Sequence, residues 1–258
     1  MDVPIDPHSS RALYRQLADE LRSKIYSGEL KPGAQLPTER ELMEQFDASR
    51  NTVRLALGQL ANEGLTVSGR GRGHFVRASA PLLFLATRSE SPDRRANTAN
   101  DAWTTDVTAQ GRTPAQTIEV SIVRPPQNVA SLLELEEGET TALRTRLRTV
   151  DGEANSLSMS YFPMSIVATT EIVQPDDIVR GANRVLAEIG HDQVRYLDQI
   201  TARMPTPDER DALRIGAGIP VHEHVRVGYD ADDVPVRVAV TVLPADRHII
   251  QYELANAQ

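Results

Sequence analysis

Cysteine is absent from the 258-residue chain, which excludes disulfides, thiolate metal sites and thiol redox chemistry. Long apolar runs are absent too: no stretch approaches the roughly 20 apolar residues that a membrane span needs. Met1 to Ser10 is acidic and polar, without the basic and then apolar run of a secretory signal, so a cytoplasmic location is expected. What is present is an ordinary soluble composition, 40% hydrophobic and 25% charged. The length favours two units, each large enough to bury a core of its own.

Charge divides unevenly along the chain. Residues 1–78 hold 11 Lys+Arg against 10 Asp+Glu, a balance of +1, and the remainder holds 17 against 26, a balance of −9. A near-neutral segment binds nucleic acid only if its arginines cluster on one face, because phosphate contacts answer to local charge. Leu13, Leu17, Leu21 and Ile25, with Tyr14 and Ala18 beside them, form one apolar stripe and predict a helix over residues 14–27. Gly28 and the Lys31-Pro32-Gly33 turn end it. Thr38-Glu39-Arg40-Glu41 is a capping box, which predicts a short helix from Glu39 to Phe46. Ser49 can cap a third helix that buries Val53, Ala56, Leu57, Leu60 and Ala61 and stops at Gly64. Its other face carries Arg50, Asn51 and Arg54. Arginine matches guanine and asparagine matches adenine in a major groove; a solvated face is the plainer reading of the same residues. Two short strands, Leu65 to Ser68 and His74 to Val76, flank a basic glycine-rich tip, Gly69-Arg70-Gly71-Arg72-Gly73. Its glycines allow close backbone approach and its arginines suit a minor groove or phosphates. A nucleotide-cradling loop would need a helix start behind it and a Walker lysine, and neither is present.

These segments resemble the GntR family of bacterial regulators. The resemblance rests on Leu36-Pro37-Thr38-Glu39-Arg40-Glu41-Leu42, on Ser49-Arg50-Asn51-Thr52-Val53-Arg54-Leu55-Ala56-Leu57, and on Gly71-Arg72-Gly73 followed by Phe75-Val76, and it covers residues 11–77. It implies an N-terminal winged helix-turn-helix domain over residues 1–78. It further implies that Arg40, Ser49, Arg50, Thr52 and Arg54 touch double-stranded DNA, with Gly71 and Arg72 at the wing. Asn51, Arg70 and Gly73 complete the candidate DNA-binding set. His74 departs from the threonine usual in the family.

Residues 79–100 include the polar run Arg88-Ser89-Glu90-Ser91-Pro92-Asp93-Arg94-Arg95, lack an apolar period, and read as an inter-domain linker. Ala80 to Ala86 is apolar enough to form a strand against either neighbour. Beyond lies an approximate repeat at an offset of 80 to 81: Leu135 to Gly138, Leu143 to Arg148, Asp151-Gly152 and Phe162-Pro163 answer to Ile215 to Gly218, His222 to Val227, Asp232-Asp233 and Leu243-Pro244. Each copy reads as a helix end, a glycine turn and a β-hairpin, and two hairpins suggest one antiparallel sheet in an α+β domain. Strand alternation puts Ala142, Arg144, Arg146 and Arg148 on one face. Three arginines are too costly to bury unpaired, so they are expected to line water or receive an anion; ion pairing with the abundant carboxylates is the alternative.

Residues 101–258 resemble the UTRA sensor domain of the HutC branch, a chorismate-lyase-like fold. The resemblance is carried by Trp103 to Gly111 with Pro114, Leu132 to Gly138, Arg144 to Gly152, Tyr161-Phe162-Pro163, Leu213 to Val221, Arg226 to Asp233, Pro235 and Asp246-Arg247. It implies a homodimer that binds a small effector, with Arg144, Arg146, Tyr161, Glu223 and Tyr229 as pocket residues and Ser158, Arg226 and Arg237 beside them. Ser158 stands where relatives commonly carry glutamate and Arg237 where an acidic residue often follows the Pro-Val pair, which points to an acidic effector.

The expected function is a ligand-responsive DNA-binding repressor on a palindromic operator, with no cofactor, metal or membrane involved. A constitutive repressor whose second domain only dimerises is the alternative. A lyase-like enzyme is the remote one: His222 and His224 share a strand face, but no third ligand accompanies them.

Overall fold

The structure, a computed structural model, describes residues 10–69, 73–77, 81–87, 101–216 and 218–254. The chain divides into two compact units, with the main division between Pro81 and Leu82.

In the first unit the first helix forms on its apolar stripe, and the two helices that follow form where the capping signals place them. α1 (Leu13–Tyr26), α2 (Glu39–Phe46) and α3 (Arg50–Asn62) are followed by the antiparallel strands β1 (Thr66–Gly69) and β2 (Gly73–Val76). The Thr38 box closes in both directions: the Glu41 amide donates to Thr38 Oγ1 at 3.3 Å, and the Thr38 amide donates to Glu41 Oε2 at 2.7 Å. Ser49 Oγ likewise accepts from the Thr52 amide at 3.2 Å. Residues 34–36 run beside β2, with the Leu36 amide bonded to the His74 carbonyl and the Val76 amide to the Ala34 carbonyl, both at 2.8 Å. Leu17, Leu21, Leu36, Leu42, Val53, Leu57, Leu60 and Val76 close around one core. Removing the Ser49 cap leaves a helix amide without its acceptor, so Ser49→Ala is expected to cost about 1 kcal/mol. The check is the urea midpoint followed by far-ultraviolet circular dichroism; an unchanged midpoint would show that the cap contributes nothing.

The second unit is built on a six-stranded sheet in the order β4 (Pro114–Val123), β5 (Thr141–Val150), β6 (Glu153–Pro163), β9 (Pro235–Pro244), β8 (Val221–Tyr229), β7 (Arg195–Arg203), antiparallel throughout. The repeat seen in the sequence is the symmetry of this sheet. Its hairpins are β5–β6 and β8–β9, joined through β6 and β9, and each is preceded by an outer strand and a short helix, α5 (Gln127–Leu132) in one copy and α8 (Pro207–Leu213) in the other. One face packs Val129, Leu133, Tyr161, Val227 and Val238 together. Over the other face lie α4 (Ala102–Ala109), α7 (Ala182–Glu188) and, within the span read as linker, the strand β3 (Leu82–Leu85). β3 pairs in parallel with β10 (His248–Gln251). Gln110 holds it from the side, accepting the Leu83 amide at 2.9 Å and donating to the Leu83 carbonyl at 3.1 Å. Residues 79–80 and 88–100 of the expected linker lie outside the described residues.

Candidate functional site

Two surfaces carry the residues singled out above, one in each unit. On α3, Val53, Ala56, Leu57 and Leu60 are buried and Arg50, Asn51 and Arg54 are exposed, so the helix has one face in the core and an exposed polar face. Among the described residues, Arg40, exposed at the start of α2, has its ion pair with Glu44 at 3.8 Å, and Arg50 with Glu39 at 4.0 Å. Such long, solvent-exposed pairs are weak and leave both guanidinium groups available to a stronger anion. Ser49 and Thr52 are engaged with each other, their hydroxyls 2.8 Å apart, so both set the start of α3 as well as facing outward. Gly73 is described and has φ +92°; Arg70, Gly71 and Arg72 lie outside the described residues.

In the second unit a cavity of about 140 Å³ lies over the polar face of the sheet. Its floor follows from register. Arg146 stands opposite Ser158, Ser158 opposite Thr241, and Thr241 opposite His224, making one row across four strands. Arg148 and Ser156 occupy the next row, so β6 offers Ser156 and Ser158 where a packed sheet would carry larger apolar groups. Of the eight pocket candidates, Arg146, Ser158, Arg226 and Arg237 line the cavity and the other four do not. Tyr161 and Glu223 have the opposite parity. Tyr161 packs among the apolar residues of the far face, and Glu223 receives Arg203 Nη2 at 2.6 Å in an ion-paired group with Glu209. Tyr229 follows a register shift and lies beneath the Arg195 guanidinium at 3.6 Å.

Arg144 corrects the expectation that every arginine of its face meets water or an anion. It is fully buried and donates to the carbonyls of Ile172 at 2.9 Å, Gln174 at 2.6 Å and Asp176 at 2.7 Å. Its charge is met by backbone, and its role is to fold the 172–176 loop onto the sheet. Arg226 is held bidentately by Asp198 at 2.7 and 2.6 Å and also donates to the Ala86 carbonyl at 2.7 Å. Burial alone would raise the Asp198 carboxyl, but hydrogen bonds from Arg226 and His224 outweigh it and hold this group well below the usual carboxylate range. His224 is accordingly a network residue, 3.2 Å from Asp198 and 3.3 Å from the Tyr252 hydroxyl.

Several lining residues were not in the expected set. Trp103 carries Arg148 over its ring at 4.7 Å, and Asn183 accepts from Arg237 Nη1 at 2.7 Å. Arg148 and Ser156 share the parity of Arg146 and Ser158, so alternation was a signal for them; Asn183 and His248 reach the cavity through tertiary packing and leave no local mark. No group of three His, Asp or Glu side chains is placed to hold a metal ion among the described residues. Nor is any described helix long and apolar enough to cross a membrane.

Residues 13–76 match the family model for bacterial regulatory proteins of the gntR family, and residues 109–249 match the UTRA domain. The chain belongs to the GntR family. This GntR regulator is 32% identical over 246 residues to an uncharacterized HTH-type transcriptional regulator of Streptomyces coelicolor, covering 93% of this chain and 91% of that one. It is 31% identical over 163 residues to the HTH-type transcriptional repressor NagR of Bacillus subtilis, covering 63% of this chain and 62% of that one. Its fold is that of the crystal structure of PhnF from Mycobacterium smegmatis, with a TM-score of 0.59 and 23% identity over 93% of this chain and 99% of that one. The GntR regulator thus combines a winged helix-turn-helix and an α+β UTRA sensor domain.

Proposed function

We propose that this regulator is a repressor that binds a palindromic operator as a homodimer, one α3 helix per half-site, and that a small acidic effector in the cavity of the sensor domain releases it. The observation that carries the DNA half of this reading is α3 itself: one face closes the core, and Arg50, Asn51 and Arg54 stand exposed at its capped start. These side chains suit guanine and adenine edges in a major groove. The repressor sense is supported by the likeness to NagR. Release requires no chemistry. An effector that binds tenfold better to the DNA-free arrangement weakens operator binding tenfold, which is about 1.4 kcal/mol of differential affinity.

The test is a mobility shift of the full chain on its own upstream DNA, with Arg50→Ala as the comparison across a salt series. Arg50→Ala is expected to weaken specific binding roughly 10- to 100-fold, as loss of one bidentate base contact does, while binding to unrelated DNA changes little. Binding that is equal on any DNA and indifferent to Arg50 would sink the assignment of α3.

A further inference from the structure

Six arginines and three aspartates line the cavity, and most of the arginines are already matched. Arg226 is closed by Asp198. Arg180 reaches Glu171 and Glu188, and Arg184 reaches Glu188 at 3.7 Å. Asp101 caps α4, accepting the Thr104 amide at 2.7 Å, and Asp177 accepts from Gln116 at 3.1 Å. Arg146 is different. It is 8% exposed and makes no hydrogen bond or ion pair among the described residues. Burial first, and then the charges of Arg148, Arg144 and Arg237, push its guanidinium down to about 9, with Asp101 the carboxylate that favours its charge. It is still protonated at neutral pH, so a buried cation faces the cavity without a counter-ion in contact, which is a demand for an anion.

Two further guanidinium groups stand at opposite ends of the same face, each fixed by a separate anchor. Arg148 lies over the Trp103 ring, in the row of Ser156. Arg237 is clamped by Asn183 at 2.7 Å and donates to Ser160 Oγ at 3.3 Å. Ser156 and Ser160 are four residues apart on β6, about 13 Å of strand, and Arg146 stands between them, opposite Ser158. Planar forks fixed apart suit two carboxylates, each taken bidentately, better than one concentrated charge. The serine hydroxyls between them can donate to a carboxylate oxygen.

We propose that the cavity takes a compact α,ω-dicarboxylate, one acid group at Arg148 and the other at Arg237, with Arg146 neutralising the molecule between them. The inference rests on the cavity being the effector site, and it names the effector's class. A single inorganic oxyanion would engage one pole only.

The experiment uses the full chain and the fluorescence of Trp103, the sole tryptophan, which lines the cavity and carries Arg148. Malonate, succinate, glutarate, adipate and pimelate are titrated at constant ionic strength, each against the monocarboxylate of equal chain length, with inorganic phosphate alongside. At least one dicarboxylate is expected to bind about tenfold or more tightly than its monocarboxylate, the gain of one added bidentate contact, with an optimum within the series. Arg148→Gln and Arg237→Gln are each expected to remove that advantage while the ligand-free melting temperature holds. Equal binding of both acids, phosphate binding above every dicarboxylate, or no response across the series would overturn the inference; these outcomes are read on the wild type and do not depend on any variant folding. The same dicarboxylate is then added to the operator complex. Binding without release leaves the ligand class standing and removes the effector role, and release by an unrelated metabolite while no dicarboxylate binds does the reverse.

Discussion

Arg144→Ala is expected to lower the stability of the sensor domain by about 3–5 kcal/mol, the usual cost of removing one member of a buried, charged hydrogen-bond group. The substitution deletes a fully buried guanidinium and strands three carbonyls of the 172–176 loop that have it as donor. Ile172, at the head of that loop, is itself fully buried in the core formed by Phe162, Val167 and Leu186, so the loop cannot swing into water without opening the core. Arg144→Lys is expected to recover little, because a single ammonium cannot span three acceptors that the planar fork reaches. Burial pulls the Arg144 guanidinium below its ordinary value, and the nearby carboxylates Asp177, Glu171 and Asp176 work against that pull. Urea unfolding followed by Trp103 fluorescence reports this domain alone. A lower midpoint at constant slope is the expected result, and a variant that unfolds with wild type would show that the carbonyls find other donors.

The second large effect is a dependence on pH. His248 is enclosed, with Nδ1 3.1 Å from the Pro244 carbonyl and Nε2 2.9 Å from the Asn155 carboxamide. Burial pushes it down to about 4; the Pro244 hydrogen bond opposes this, and the charges of Arg247 and His222 add to it. The unfolded imidazole titrates near 6.5, so between those values the unfolded chain takes up a proton that the folded one refuses. Stability is therefore full above about pH 6.5 and is lost as the pH falls toward about 4, by roughly 3 kcal/mol in all at about 1.4 kcal/mol per unit. Asp198, held low by its partners, loses its share only in more acid solution. His248→Gln removes the titration and keeps a polar side chain, so the expected signature is a flatter stability profile between pH 6.5 and 4. An unchanged slope would mean that other histidines set it.

What could be read from the sequence follows the range of the forces involved. The helices of the first unit were legible because capping boxes and apolar stripes act within a few positions: the helix from Glu39 to Phe46 forms at the expected bounds, and Ser49 caps as expected. The alternation of β5 was legible as well, but alternation does not say which face is buried or what waits there. Arg144 and Arg146 look alike along the strand; one meets three carbonyls that arrive from residues 172–176 and the other meets the cavity. Tyr161 and Glu223 stand on the far face; alternation already sets them apart from Ser158 and Arg226, three positions away on the same strands, and the pairing of β6 with β9 and of β8 with β9 shows how the faces line up across the sheet. The packing of α7 that brings Asn183 to Arg237 has no local signature at all.

The pairing of β3 with β10 bears on how the protein is made. Leu82 and His248 are partners in that ladder, and the Glu253 amide bonds to Thr87 Oγ1 across 166 residues of chain. Contacts of such separation close late, since the entropy of the intervening chain must be overcome before they contribute. On a ribosome the winged helix can fold as soon as its own residues emerge, whereas one wall of the cavity waits until residues 248–251 have been synthesised. A nascent regulator would therefore hold a finished DNA-binding head well before it holds a sensor able to close around its signal.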